Sequence, residues 1–124
     1  MAGRRLRGGC LMVALAAAGG PAAALAGDAG QTVFEHNCRA CHSVMRGQNH
    51  VGPSLFEVIG RPAGSISSFV SSGALRGAPL VWSEATLEAF LADPQAAVPG
   101  TAMRFPGLKD AAERAAVIDY LKGR

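Results

Sequence analysis

The stretch Cys38-Arg39-Ala40-Cys41-His42 constrains this chain more than any other. A C-x-x-C-H run reads as the attachment site of a c-type haem. Each thiol adds across one vinyl group of the macrocycle, and two intervening residues match the separation of the vinyls. The histidine that follows then lies beneath the ring, where its imidazole reaches the iron. Two rivals use the same residues. A thioredoxin-like C-x-x-C belongs in a βαβ context, which is absent here, and has no need of His42. A zinc site could combine Cys38, Cys41 and His42 with His36 or His50, but there is no second C-x-x-C and the spacings fit no usual finger. The expected cofactor is one haem c with its iron, bound through Cys38 and Cys41 and ligated by His42.

The remaining cysteine, Cys10, sits in a stretch that reads as a leader. Arg4, Arg5 and Arg7 form a positive n-region, residues 10–18 are an unbroken apolar run, and Gly19, Gly20 and Pro21 interrupt any helix. Ala24-Leu25-Ala26 fits the small-x-small pattern of signal peptidase sites. The expected organisation is a cleavable signal peptide over 1–26 and one domain over 27–124. The apolar run falls short of the ~20 residues of a spanning helix, so an uncleaved anchor is the alternative and no membrane insertion is expected after cleavage. Export places the protein in the periplasm. Cys38 and Cys41 would close only a tiny disulfide loop, which stabilises little, so their use is chemical.

Cleavage changes the charge. The whole chain carries 12 basic and 9 acidic residues, a net +3. Three of the basic residues are the leader arginines and none of the acids lies there, which leaves equal numbers of each sign in 27–124. A mature chain of zero formal charge gives no reason to expect nucleic-acid binding or a strongly basic docking face.

Helical signals sit at both ends of the domain. Asp28 can cap a helix running through Val33, Phe34 and Asn37 to Cys41. Asp110 with Glu113 reads as a capping box for a helix that carries Val117, Tyr120 and Leu121 and stops at Gly123. A third helix starts at Ser83, carries Leu87, Phe90 and Leu91 on one face, and ends near Asp93, because Pro94 disfavours helix before it. Residues 43–52 and 60–78 read as long loops, the second with room for a short helical turn. No stretch alternates cleanly as a strand. The expected class is all-α, about three main helices with short turns and long loops wrapped around one haem.

A six-coordinate iron needs a second axial ligand. Met1 and Met12 belong to the leader, and Met45 is too close to His42 in sequence to reach the opposite face. Met103 remains, in Pro99-Gly100-Thr101-Ala102-Met103. Gly100 lets that segment approach a ring closely, and a Met/His pair is the ligation of electron-transfer cytochromes. A gap-filling core methionine is the competing reading.

Together these residues resemble class I cytochromes c, the branch of mitochondrial cytochrome c and bacterial cytochrome c2. The resemblance rests on C-R-A-C-H, then Gly52-Pro53-Ser54-Leu55, Gly60-Arg61, Trp82 before a helix, and the segment ending in Met103, in that order, and it covers nearly all of 27–124. It implies the cytochrome c fold and Met103 as the distal ligand. It implies that the Pro53 carbonyl accepts a bond from His42 Nδ1, that Arg61 and Trp82 face a haem propionate, and that Thr101 lies near the inner propionate. It further implies that Gly30, Phe34, Val117 and Tyr120 form the contact between the first and last helices, and that Phe105 flanks the haem edge.

The chain also departs from the pattern. Phe90 stands where a tyrosine usually bonds the thioether sulfur, and Ser71 is the nearest match to a tyrosine that often bonds a propionate. The usual lysine ring is reduced to Arg39, Arg46, Arg104 and Lys109. The expected activity is single-electron shuttling by a monomer, not an enzyme. The expected partners are redox proteins: a cytochrome reductase, a terminal oxidase or a periplasmic dehydrogenase. The alternatives are a dedicated electron-accepting subunit of such a dehydrogenase and a ligand-binding or peroxidase-like haem protein.

Overall fold

The computed structural model describes residues 22–124, and side chains from Gly27 onward. The expected n-region arginines, Cys10 and the apolar run of the leader lie outside the described residues. Five helices follow one another: α1 Ala22–Asn37, α2 Gly73–Gly77, α3 Glu84–Ala92, α4 Pro94–Ala97 and α5 Ala111–Lys122. Helices α1, α3 and α5 are the three main ones; α2 and α4 are single turns in the connections. Among the described residues there is no strand, only an isolated antiparallel bridge between Pro62 and Val81.

Helix α1 differs from expectation at both ends. It begins at Ala22, so Asp28 lies inside it rather than capping it. Alanine is the strongest helix former, and the alanine-rich segment before Asp28 carries the helix past the cap signal. The Asp28 carbonyl accepts from Thr32 Oγ1 at 2.9 Å. At the other end the regular helix stops at Asn37 instead of reaching Cys41. Cys38 and Arg39 N–H both turn back to the Phe34 carbonyl, at 2.8 and 2.9 Å, and Cys41 N–H bonds the Cys38 carbonyl at 3.0 Å. The last turn is therefore irregular where the thiols and His42 must face one side.

The other caps follow their sequences. Asp110 accepts from the amides of Ala112 and Glu113, at 2.7 and 3.2 Å. The reciprocal half of the expected box does not form there. A full capping box closes α3 instead, between Ser83 and Thr86. Asp93 ends α3 and caps α4 through the Ala96 amide at 3.1 Å, with Pro94 in the first turn, where its missing N–H costs nothing.

The core lies where α1 crosses α5, with α3 packed against α5. Val33, Phe34, Val117, Ile118 and Leu121 are buried there, each worth roughly 1.5–3 kcal/mol of apolar transfer. Gly30 makes the crossing possible: a Cβ on it would stand 2.6 Å from Tyr120 Cβ and would also strike the Ala116 carbonyl oxygen. The Phe34 and Tyr120 rings pack tilted, 5.6 Å between centroids. The expected contact of Gly30, Phe34, Val117 and Tyr120 is thus present.

Candidate functional site

Between the end of α1, the 51–72 connection, α3, α5 and the 102–105 segment lies a cavity of about 420 Å³, within the ~300–1,000 Å³ range of cofactor sites. Its walls bring together most of the residues singled out in the sequence: Cys38, Cys41, His42, Pro53, Arg61, Trp82, Met103 and Phe105 all line it. Residues 80 positions apart by sequence converge on one space, and the rest of the lining is largely apolar, including Leu55, Val58, Leu87, Leu91 and Val117.

On one side stands His42. Its Nδ1 lies 2.7 Å from the Pro53 carbonyl oxygen. A carbonyl only accepts, so this contact requires Nδ1 to carry the proton and leaves Nε2 with a free lone pair. Burial is the main influence on the ring and lowers its pKa, partly opposed by the Pro53 bond, with Arg61 and His50 lowering it further. The neutral imidazole, the form that ligates a metal, is therefore the stable one. Gly52 closes the back of the ring: a Cβ there would lie 2.7 Å from Nδ1 and 2.8 Å from Nε2. Only a residue without a side chain fits against the imidazole.

The two thiols are free. Burial pushes the Cys38 thiol up to about 11, with a smaller push from Cys41. A redox-active C-x-x-C depends on a lowered thiol pKa, so Cys38 has the opposite setting and the thioredoxin-like rival loses its chemistry. The zinc rival loses its geometry. His36 and His50 are exposed, and among the described residues no three His, Cys, Asp or Glu side chains converge as a metal site.

Arg61 and Trp82 reach the cavity from the bridge region. Gly60 N–H donates to the Trp82 carbonyl at 2.6 Å and Trp82 N–H to the Arg61 carbonyl at 2.9 Å, which sets the two residues side by side. Arg61 Nη1 donates to the Phe56 carbonyl at 3.1 Å, and burial lowers the guanidinium's pKa. Among the described residues no carboxylate pairs with it. A guanidinium has five N–H donors, so a half-desolvated cation facing a cavity with donors to spare suits an anionic edge on the occupant. The Trp82 ring is buried and meets Phe90 edge-on, 5.0 Å between centroids.

Met103 is partly buried and lines the same cavity. Thr101 does not line it. Thr101 is buried behind the loop, where its hydroxyl accepts from the Met103 amide at 3.4 Å and its own N–H donates to the Val98 carbonyl at 3.1 Å. The hydroxyl helps shape the turn as an acceptor and keeps its own proton for a further partner. Ser71 is buried and does line the cavity. Phe90 lines it without a hydroxyl to offer. Met45 is 57% exposed and remote from the cavity.

The residues present fit a haem on three counts. The two thiols, a pre-oriented imidazole and a thioether all line one cavity, and an unpaired cation there suits carboxylates. Sequence reasoning missed Gly52 as the backing of His42, and Val51, Ile66, Phe69 and Val70 as the rim. The only signal for Gly52 was its position before Pro53.

Comparison with known proteins agrees. The cytochrome c family model matches residues 27–124. The chain is 52% identical over 85 residues to cytochrome c2 iso-2 of Magnetospirillum fulvum, covering 68% of this chain and 88% of that one. It is 46% identical over 95 residues to cytochrome c2 of Rhodoblastus acidophilus, covering 76% and 88%. The solved structure of cytochrome cH from Methylobacterium extorquens superposes with a TM-score of 0.74 at 40% identity, over 79% of this chain and 98% of that one. The chain belongs to the cytochrome c family and carries a covalently bound haem c for the shuttling of electrons.

Proposed function

We propose that this protein is a periplasmic carrier whose iron is held between His42 Nε2 and the Met103 thioether. The observation that carries the reading is the pairing of His42 Nδ1 with the Pro53 carbonyl at 2.7 Å across a cavity that also contains Met103. That bond fixes the ring tautomer and makes Nε2 the better donor.

When bound, the haem supplies a one-electron iron couple. The chain supplies the rest. Cys38 and Cys41 anchor the macrocycle. The apolar wall of Leu55, Val58, Leu87 and Leu91 excludes water and favours the less charged ferrous state, raising the potential together with the thioether. Arg61 and Trp82 hold the propionate edge. Phe105 and the Cys41 side, where the cavity opens, form the route by which a partner approaches. Release after cleavage behind Ala26 delivers the soluble domain to redox partners such as a reductase, a terminal oxidase or a dehydrogenase.

The ferric spectrum tests the ligation. A weak far-red charge-transfer band from an iron–thioether bond is expected, and Met103→Ala is expected to abolish it and lower the potential. A Met103→Ala protein with an unchanged band would overturn the reading and favour a haem with a different distal ligand.

A further inference from the structure

We infer that Gln95 is a positioning residue that latches the Met103 segment shut and so governs how often the distal coordination position opens. The inference rests on Met103 being the distal ligand. Gln95 is the second residue of α4, and its amide spans the loop that follows. Oε1 accepts from the Gly100 amide at 3.2 Å, and Nε2 donates to the Thr101 carbonyl at 2.9 Å. One side chain thereby satisfies both polar groups flanking the turn that leads into Met103.

That turn needs external support. Gly100 sits at φ +86°, a conformation that glycine reaches freely and also leaves freely. The far end of the loop is already tied down. Leu108 N–H donates to the Leu91 carbonyl at 2.7 Å, and Lys109 Nζ donates to the carbonyls of Ala92 and Pro106 at 3.2 and 3.0 Å. Residues 92–108 thus form a compact loop whose ends meet, with Met103 near its middle. On the near side the backbone offers Thr101 N–H to Val98 and Met103 N–H to the Thr101 hydroxyl, the second at a long 3.4 Å. The Gln95 amide is the brace that bridges the glycine.

An added ligand such as imidazole reaches the ferric iron only when Met103 leaves. Its apparent affinity is then the intrinsic affinity multiplied by the open fraction. Two neutral hydrogen bonds are worth about 0.5–1.5 kcal/mol each, so losing both should raise the open fraction roughly 5- to 150-fold, a loss of about 1–3 kcal/mol.

Gln95 is exposed, so its replacement leaves the core untouched. The experiment is a spectroscopic imidazole titration of the ferric holoprotein and its variants. Gln95→Ala is expected to tighten imidazole binding roughly 5- to 150-fold. Gln95→Glu keeps an acceptor for Gly100 but loses the donor to Thr101, and is expected to fall between the two. In a Met103→Ala background there is no thioether to displace, and adding Gln95→Ala is expected to leave imidazole affinity unchanged; that double-mutant comparison separates a latch from a general structural effect. Equal imidazole affinity in the original protein and Gln95→Ala, with the far-red band present in both, overturns the assignment of Gln95 alone. Absence of that band from the original protein overturns the ligation by Met103, and the latch with it.

Discussion

The ammonium of Lys109 stands 3.2 Å from the carbonyl oxygen of Ala92, at the C-terminal end of α3. A cation there satisfies an orphan carbonyl and complements the helix dipole. The same nitrogen also bonds the Pro106 carbonyl. Lys109 is therefore a structural tie, and it is poorly placed to serve as a mobile docking charge. Arg46 is similarly engaged: it lies 3.6 Å from Glu57 and stacks over Phe56 at 4.4 Å.

Of the four charges expected near the cofactor edge, only Arg46 faces a carboxylate, while Lys109 keeps its charge but is fixed in place, and so small a patch on a domain with equal numbers of acidic and basic residues steers weakly. Salt screens exposed charges over ~8–10 Å at moderate ionic strength. Electron exchange with a redox partner should depend only weakly on salt, and stopped-flow rates across a salt series check this. A steep fall in rate would show that a full basic docking face survives.

Haem should remain with the polypeptide after denaturation and acid–acetone extraction. Cys38 and Cys41 line the cavity as free thiols, and a thioether survives conditions that break coordination. The double variant Cys38→Ser, Cys41→Ser should release its haem to the solvent layer. Retention there would refute covalent attachment through this pair.

What could be read in advance depended on whether the chemistry fixes residue identity. Thioether formation needs two cysteines at one spacing with a histidine next to them; Cys38, Cys41 and His42 were legible for that reason, and Met103, singled out by elimination, lines the same cavity. The helix carrying Leu87, Phe90 and Leu91 was legible from its caps. Asp28 misled, because capping strength competes with propensity and the preceding alanines win. The tie of Lys109 and the brace of Gln95 were invisible: both end on backbone groups, which leave no trace in side-chain identity.

Arg61 offers a test by pH. A guanidinium beside a carboxylate stabilises its ionised form and lowers its pKa by about 1–3 units. With Arg61 in place, a propionate held there stays ionised through neutral pH and the reduction potential is flat. In Arg61→Gln the propionate titrates at a higher pH. Deprotonation adds negative charge, which favours the ferric state, so the potential should fall as pH rises between about 5 and 8. It should also be lower overall, because a cation has been removed. Potentiometry over that range checks both signs. An unchanged, pH-independent potential would place Arg61 away from the propionates.

Gly30→Ala should destabilise the protein although alanine favours helix by up to about 1 kcal/mol. The new Cβ would meet Tyr120 Cβ at 2.6 Å and the Ala116 backbone, and neither can yield without parting α1 from α5. Overpacking of this kind costs typically about 1–3 kcal/mol. Thermal unfolding should show a midpoint lower by several degrees, a shift of about 4–8 °C for each kcal/mol in a domain of this size. A midpoint equal to or above the original would mean that the helices close with slack.

The Cys38–Cys41 anchor has a consequence for how openly the rest of the chain can be built. A dissociable cofactor is lost each time its pocket opens, at a rate set by dilution into the surroundings. A tethered one stays within reach at an effective concentration fixed by the length of its link. Openings of the 43–52 and 60–78 connections then become reversible excursions. Recapture is an intramolecular event, and much of the cavity's lining between α1 and α2 can remain loop.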